Sequence, residues 1–387
     1  MNTSMILGFQ VRTRLVMGCG SAAQTGEQLK SLGSTKVLVI TDKGIIKSGL
    51  LGQVLPSLDA MGIPYVVYDS VVANPRIETV DEAIKMYRDN GCNGFLAVGG
   101  GSPMDTAKTA GVLATNPGGV TDYEGPNLVV NPMPPVVTIP TTYGTGAEVS
   151  PGSIITHAQK KYKMGIGDDP KMSPAVAILD PLLLLNLPAH IAASTGMDAL
   201  THAVESYVAK LAEPFSDALN IHAIKLIAAN LPAAMATNWD VEATANMLYA
   251  STMTGMAFSN AGLGFVHSMT HALGGMFDMP HGVANALVLP YVMEYNLLAC
   301  PSKFADIARA MGENVDGLPL LDAAAKSVEA VRKLSKRLGI PQRLSEVGID
   351  PAAIEYMAEW AFKDGNTDCN PRPGSKDIFV QLFKTAM

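Results

Sequence analysis

FLAVGGGSPMDTAKTAGVLAT, residues 95–115, decides how the first half of the chain is read. Four apolar residues run straight into three glycines, and Pro103 then opens a stretch of helical periodicity. That order predicts a buried strand, a tight turn and a helix. The same alternation surrounds it. TKVLVIT (35–41), PYVVYDSV (64–71), PPVVTIPTT (134–142) and AVAILDP (175–181) read as further strands. A helix is expected around 44–61, and another over TVDEAIKMYRDNG (79–91), which stops at a glycine. Short β-branched runs separated by helices predict a parallel sheet covered on both faces, with ligands held at the carboxyl ends of its strands.

After PLLLLNLPAH (181–190) the texture changes. FSDALNIHAIKLIAANL (215–231), LPLLDAAAKSVEAVRKLSKRLGI (318–340) and PAAIEYMAEWAFKDG (351–365) carry helical periodicity, and no strand signal follows residue 188. At 387 residues the chain exceeds what one hydrophobic core serves, so two domains are expected. The boundary divides an α/β domain with a parallel sheet, 1–187, from an all-helical domain, 188–387.

Composition narrows the function. With 48% hydrophobic and 16% charged residues the chain has the make-up of a packed globular protein. Its 28 Lys+Arg against 35 Asp+Glu, without a basic run, argue against a nucleic-acid partner. Four cysteines without CxxC spacing, behind an amino terminus that lacks the pattern of a leader, point to reduced thiols and a cytoplasmic location. No Asp, Glu, Lys or Arg lies between Glu242 and Asp278, but that run is rich in Asn, Ser, Thr and Gly. It reads as buried helices and not as a membrane span.

Three constellations carry chemistry. In GGGSPMDTAK (99–108), glycines after a strand let backbone N–H groups approach an anion, and a helix N-terminus follows. A plain strand-to-helix turn is the alternative. TIPTTYGTGAEVS (138–150) is a second polar loop after a strand, with hydroxyls on Thr141, Thr142 and Thr145. Two such loops at one sheet edge suit a dinucleotide. Asp42, ending TKVLVIT, is placed either to accept from ribose hydroxyls, favouring NAD over NADP, or to serve as a turn aspartate. Lys163, in KKYKMG, is placed either over the cofactor or as a solvated lysine, and its local sequence favours the latter.

The third constellation is STGMDALTHAVESYV (194–208) with HSMTHALGGMFDMPHG (267–282). Asp198 and His202 are four apart on one helix face. Alone, they read as a helix start with Thr195 as N-cap and His202 and Glu205 on a wet face. Downstream, His267 and His271 repeat the four-residue spacing, and His281 returns from a loop behind Pro280. Three of seven histidines within fifteen residues, beside an uncharged core, favour a metal site of imidazoles and one carboxylate suited to Fe(II) or Zn(II).

GGGSPMDTAK, PTTYGTGAEVS, TGMDALTHAVESY and GLGFVHSMTHALGGMFDMPHG, in this order, resemble the iron-containing (group III) alcohol dehydrogenases over nearly the whole chain. The resemblance implies Asp198, His202, His267 and His281 as metal ligands, with His271 lining the site without ligating. His271 is the candidate catalytic group, as a proton relay or, alternatively, as a group that orients the site. It implies NAD contacts from Asp42, Asn74, Gly99, Gly100, Gly101, Ser102, Thr141, Thr142 and Lys163. The domains would then be an NAD-binding and a metal-binding, catalytic half. The implied reaction is hydride transfer between NAD(H) and a short primary alcohol, diol or aldehyde, with Fe(II), or Zn(II), as Lewis acid. A homo-oligomer with a small-molecule substrate and neither membrane nor nucleic-acid partner is expected. Apolar Phe258 and Phe277 are candidate pocket residues. The alternative is a non-redox, NAD- and metal-dependent lyase like those of dehydroquinate synthesis, which would need a basic cluster that the helical half lacks.

Overall fold

The computed structural model describes residues 5–387; the first four residues of the amino-terminal stretch read above for a leader lie outside the described residues. The chain forms two compact units, Val11–Asn186 and Leu187–Met387, the second also holding the segment up to Gln10.

The first unit runs β1 (Arg14–Met17), α1 (Thr25–Ser31), β2 (Val37–Ile40), α2 (Lys43–Ser48), α3 (Leu51–Met61), β3 (Tyr65–Tyr68), α4 (Ile77–Asp89), β4 (Gly94–Gly99) and α5 (Gly101–Thr115). It continues through β5 (Gly125–Pro126), β6 (Val136–Pro140), β7 (Gly152–His157), β8 (Tyr162–Gly167) and β9 (Val176–Leu179). Six strands form one sheet in the order β1-β9-β6-β4-β2-β3, with every neighbouring pair parallel. The four residues of β2, VLVI, are wholly buried, as continuous apolar strands of a two-sided sheet must be. The chain steps from β2 to β3 on one side and then crosses back to β4 on the other. That reversal opens a crevice at the carboxyl ends of β2 and β4. A small second sheet, β5-β8-β7, holds the antiparallel hairpin of β7 and β8.

Two local expectations are corrected here. The helix around 44–61 is two, because Gly49 takes a left-handed φ of 74° and ends α2. The β7–β8 hairpin falls where no strand was expected. GSIITH and YKMGIG mix glycine and polar residues with apolar ones, which blurs the two-residue period.

The second unit is helical: α6 (Ala189–Val208), α7 (Pro214–Ala236), α8 (Val241–Ala261), α9 (Phe265–Phe277), α10 (His281–Asn296), α11 (Pro301–Ala310), α12 (Leu320–Arg337), α13 (Ile354–Lys363) and α14 (Lys376–Ala386). Helix starts follow capping chemistry. Glu213 accepts from Ser216 N and Phe215 N ahead of α7, and Asp240 accepts from Ala243 N ahead of α8. The uncharged stretch 243–277 lies in α8 and α9 and the turn between them, and most residues of these helices are buried. Among the described residues one helix, α7, is long and apolar enough to cross a membrane by length and composition alone.

Candidate functional site

Four side chains from three helices converge in the helical unit. Asp198 and His202 stand on α6, His267 on α9 and His281 at the first residue of α10, and one ligand atom from each lies within 4.8 Å of the others. Tetrahedral donors about 2.0–2.2 Å from one ion lie about 3.3–3.6 Å apart, so sharing an ion asks each donor to move inward by less than about an ångström. Three of the four residues are buried. His202 and His267 stack at 4.7 Å between ring centroids, and Phe258 covers the His202 ring at the same distance.

Close approach of the helices makes this possible. A Cβ on Gly282 would lie 2.4 Å from Ser194 O on α6, so only glycine lets the start of α10 reach that backbone. His281 therefore arrives as the opening residue of a helix, where a loop was expected. The N-cap expected at Thr195 is also corrected. α6 starts six residues earlier, at Ala189, and Thr195 Oγ1 donates to Ile191 O, 2.8 Å away, inside the helix.

The donor set behaves as a cation site. Asn285, four residues after His281 and fully buried, places Nδ2 2.6 Å from Asp198 Oδ1, 3.1 Å from His267 Nε2 and 3.2 Å from His281 Nε2. An amide nitrogen has two protons to give. Three lone pairs thus converge on a donor that satisfies two, whereas a divalent ion accepts all of them. The residues present fit the metal.

Glu205 is not the wet-face residue expected beside His202. It is 4% exposed, and its carboxylate accepts from Val266 N at 2.6 Å and from His267 Nδ1 at 2.6 Å. A proton on Nδ1 leaves the Nε2 lone pair of His267 directed at the site. Burial pushes the Glu205 carboxyl up, while the N–H groups of Val266, Gly264 and His267 pull it down toward the carboxylate that accepts from them. Spacing placed Glu205 on the right helix; only the packing of α9 against it shows its partner.

His271 stands beside the four and not among them, its ring 5.7 Å from that of His281. Its Nδ1 lies 2.7 Å from Asp364 Oδ2. Burial alone would raise the Asp364 carboxyl, but His271 and the backbone and side-chain amides of Asn366 outweigh it and hold it at about 2. Asp364 sits 93 residues further along, and no local pattern marks it.

In the α/β unit Asp42, the glycine turn and Thr141 and Thr142 gather at one sheet edge, while Asn74 follows β3 and Lys163 stands on the second sheet. Asp42 follows β2, Gly99 ends β4 and Thr141 follows β6, and these strands are parallel neighbours. Thr141 N donates to Gly99 O at 2.9 Å. A Cβ on Gly100 would lie 3.2 Å from Thr142 Oγ1 and one on Gly101 would lie 3.0 Å from Thr145 Cγ2, so the bare glycines keep this cradle open. No side chain caps the N-terminus of α5, which leaves the N–H groups of Gly101 and Ser102 for an anion. Phosphates fit there. Asp42 serves as the N-cap of α2 through Oδ1, which accepts from Ile45 N at 3.0 Å, while its other oxygen takes no part in the cap. Asn74 adopts a left-handed φ of 53° after β3. The backbone beside it, Pro75 O, accepts from Thr156 N on β7 at 2.7 Å. Lys163 lies opposite Thr156 on β8; burial raises the carboxyl of Asp105 on α5, opposed mainly by Lys108 and the Ile154 N–H and least by Lys163.

Comparison with known proteins agrees with both halves. Residues 12–181 match the model of the iron-containing alcohol dehydrogenases, and residues 192–387 match that of the C-terminal part of the Fe-containing alcohol dehydrogenase family. The chain belongs to the iron-containing alcohol dehydrogenase family. It is 47% identical over 371 residues to 1,3-propanediol dehydrogenase of Citrobacter freundii, covering 95% of this chain and 96% of the relative. It is 40% identical over 372 residues to NAD-dependent methanol dehydrogenase of Bacillus methanolicus, covering 96% and 97%. A crystal structure of 1,3-propanediol oxidoreductase superposes with a TM-score of 0.96 at 44% identity, covering 99% of this chain and all of that one. As a member of this family the chain is a metal- and NAD-dependent alcohol and aldehyde oxidoreductase. Nothing among the relatives supports the lyase alternative.

Proposed function

We propose that the chain interconverts short primary alcohols or diols and their aldehydes, with Asp198, His202, His267 and His281 holding one divalent ion. The observation that carries this reading is the meeting of their four ligand atoms within 4.8 Å in a buried setting. We further assign Asp42, Asn74, Gly99, Gly100, Gly101, Ser102, Thr141, Thr142 and Lys163 to NAD, which makes 1–187 the cofactor domain and 188–387 the metal-binding and catalytic domain. When bound, the ion supplies Lewis acidity to the substrate oxygen and NAD accepts or returns the hydride. Glu205 holds the His267 ring so that Nε2 faces the site. Asp364 holds His271 by Nδ1, leaving Nε2 to exchange a proton with substrate or solvent. Phe258, tilted over the His202 ring, lines the site with an apolar wall suited to uncharged substrates.

A donor set of one carboxylate and three imidazoles without thiolate suits Fe(II), and Zn(II) competes by affinity. The names of the relatives, a 1,3-propanediol and a methanol dehydrogenase, support small uncharged alcohols. The apolar, thinly covered α7, with Phe215 exposed, supports self-association into a homo-oligomer; the excess of acidic over basic residues argues against a nucleic-acid partner, and the four free cysteines support a cytoplasmic enzyme. The test is an anaerobic screen of short alcohols, diols and aldehydes following NADH absorbance with Fe(II) or Zn(II) supplied. Turnover of three-carbon diols or short primary alcohols that a chelator abolishes is expected; no NADH change with any of them would refute the reading.

A further inference from the structure

Lys108 lies wholly buried in α5, behind the glycine turn, with 0% of its surface exposed. Its ammonium nitrogen is 3.1 Å from Ala147 O, 3.4 Å from Ser150 O, 3.3 Å from Ser150 Oγ and 3.2 Å from Asp105 Oδ1, and it also donates to Gly152 O. A cage of carbonyl, hydroxyl and carboxylate oxygens of this kind is what proteins build around a dehydrated monovalent cation. An ammonium buried without such partners would be severely unfavourable.

The cage joins two segments that matter. Lys108 belongs to the helix whose first residues follow Gly99 and Gly100, while the carbonyls belong to residues 147–152, directly after Thr141, Thr142 and Thr145. Neighbouring residues on the same helix face reinforce the joint. Asp105 Oδ2 accepts from Ile154 N at 3.0 Å, and Thr109 Oγ1 lies 2.7 Å from Ser153 Oγ. Positions 105, 108 and 109 are three and four apart, so α5 presents one polar stripe to 147–154. An apolar α5 would pack here without fixing register. The charged centre sets both the spacing and the rotation of the glycine turn against the threonine loop.

We propose that Lys108 is a positioning residue, a built-in monovalent cation that locks the glycine turn to the threonine loop so that the dinucleotide cradle is formed before NAD arrives. This rests on the reading that these loops hold NAD. Without the lock, dinucleotide binding must itself order the two loops, and affinity falls.

The test titrates NADH by its fluorescence into the full-length, metal-loaded protein. K108M should weaken binding about tenfold or more with metal content unchanged. K108A should show the same loss, partly restored by ammonium chloride but not by tetramethylammonium chloride, whose cation is too large for the cage. If neither Lys108 variant folds, S150A, which removes one of the oxygens, should weaken binding about two- to threefold. K108M binding NADH like wild type, K108A responding equally to both salts, or unfolded Lys108 variants together with an unaffected S150A would overturn the proposal and leave the dehydrogenase reading standing. A wild-type chain that binds no dinucleotide would overturn both.

Discussion

Glu205 and Asp364 each lie within hydrogen-bond distance of a histidine Nδ1, and each is itself held differently. Glu205 also receives backbone N–H groups at the start of α9, so it fixes the ring of His267 and the helix that carries it. E205Q should weaken metal binding about 10- to 100-fold, read by competition against a chelator, because the amide presents one acceptor where two are used. Asp364 is held by His271 and Asn366 with its pKa at about 2, below its ordinary 3.8. A depressed carboxyl stabilises the fold above its unfolded value and loses that contribution as pH falls through its folded value. D364N should therefore be less stable than wild type by about 2 kcal/mol at pH 6, with the gap closing between about pH 4 and pH 2, in urea midpoints taken across that range. Neither carboxylate's partner was legible in the sequence. Glu205 showed only as a member of a helix stripe, and Asp364 meets His271 across 93 residues, a contact that tertiary packing alone creates. Asn285 carried a usable signal, four residues after His281, but an amide there also reads as ordinary helix surface.

The helix pair α6 and α10 decides whether His281 reaches Asp198, and Gly282 decides the pair. G282A would set a Cβ 2.4 Å from Ser194 O, against backbone that cannot swing aside. The expected outcome is a cost of about 1–3 kcal/mol in chemical unfolding together with loss of bound metal, since His281 and Asp198 are drawn apart. Retention of metal at wild-type affinity would show that the approach is not required. Elements with unbroken apolar runs or clear helical period were legible: β2, β4, β6, β9, α4, α5 and α12 all stand where the pattern put them. Those that failed did so for local reasons. Gly49 broke one periodic stretch into two helices, glycines inside β8 hid a strand, and Thr195, a good N-cap residue, bonded back to Ile191 inside a longer helix.

The two-part organisation follows from the change in texture near residue 188, and each unit carries one set of candidates: glycine and threonine turns at a parallel sheet edge, proposed for the dinucleotide, and a carboxylate with three imidazoles among helices, proposed for the ion. The four proposed ligands came from the resemblance; spacing alone could not separate His271 from His267 and His281. A ligand that binds only the folded state stabilises it by about 2.7 kcal/mol at a hundredfold excess over Kd. Chelation should therefore lower the thermal midpoint of wild type and leave that of H281A unmoved. The decisive measurement is elemental analysis of wild type, H267A and H271A after anaerobic reconstitution with Fe(II). One ion per chain in wild type and H271A, and none in H267A, is the predicted result. An H267A protein that keeps its ion, or an H271A protein that loses it, would contradict the assignment of the site.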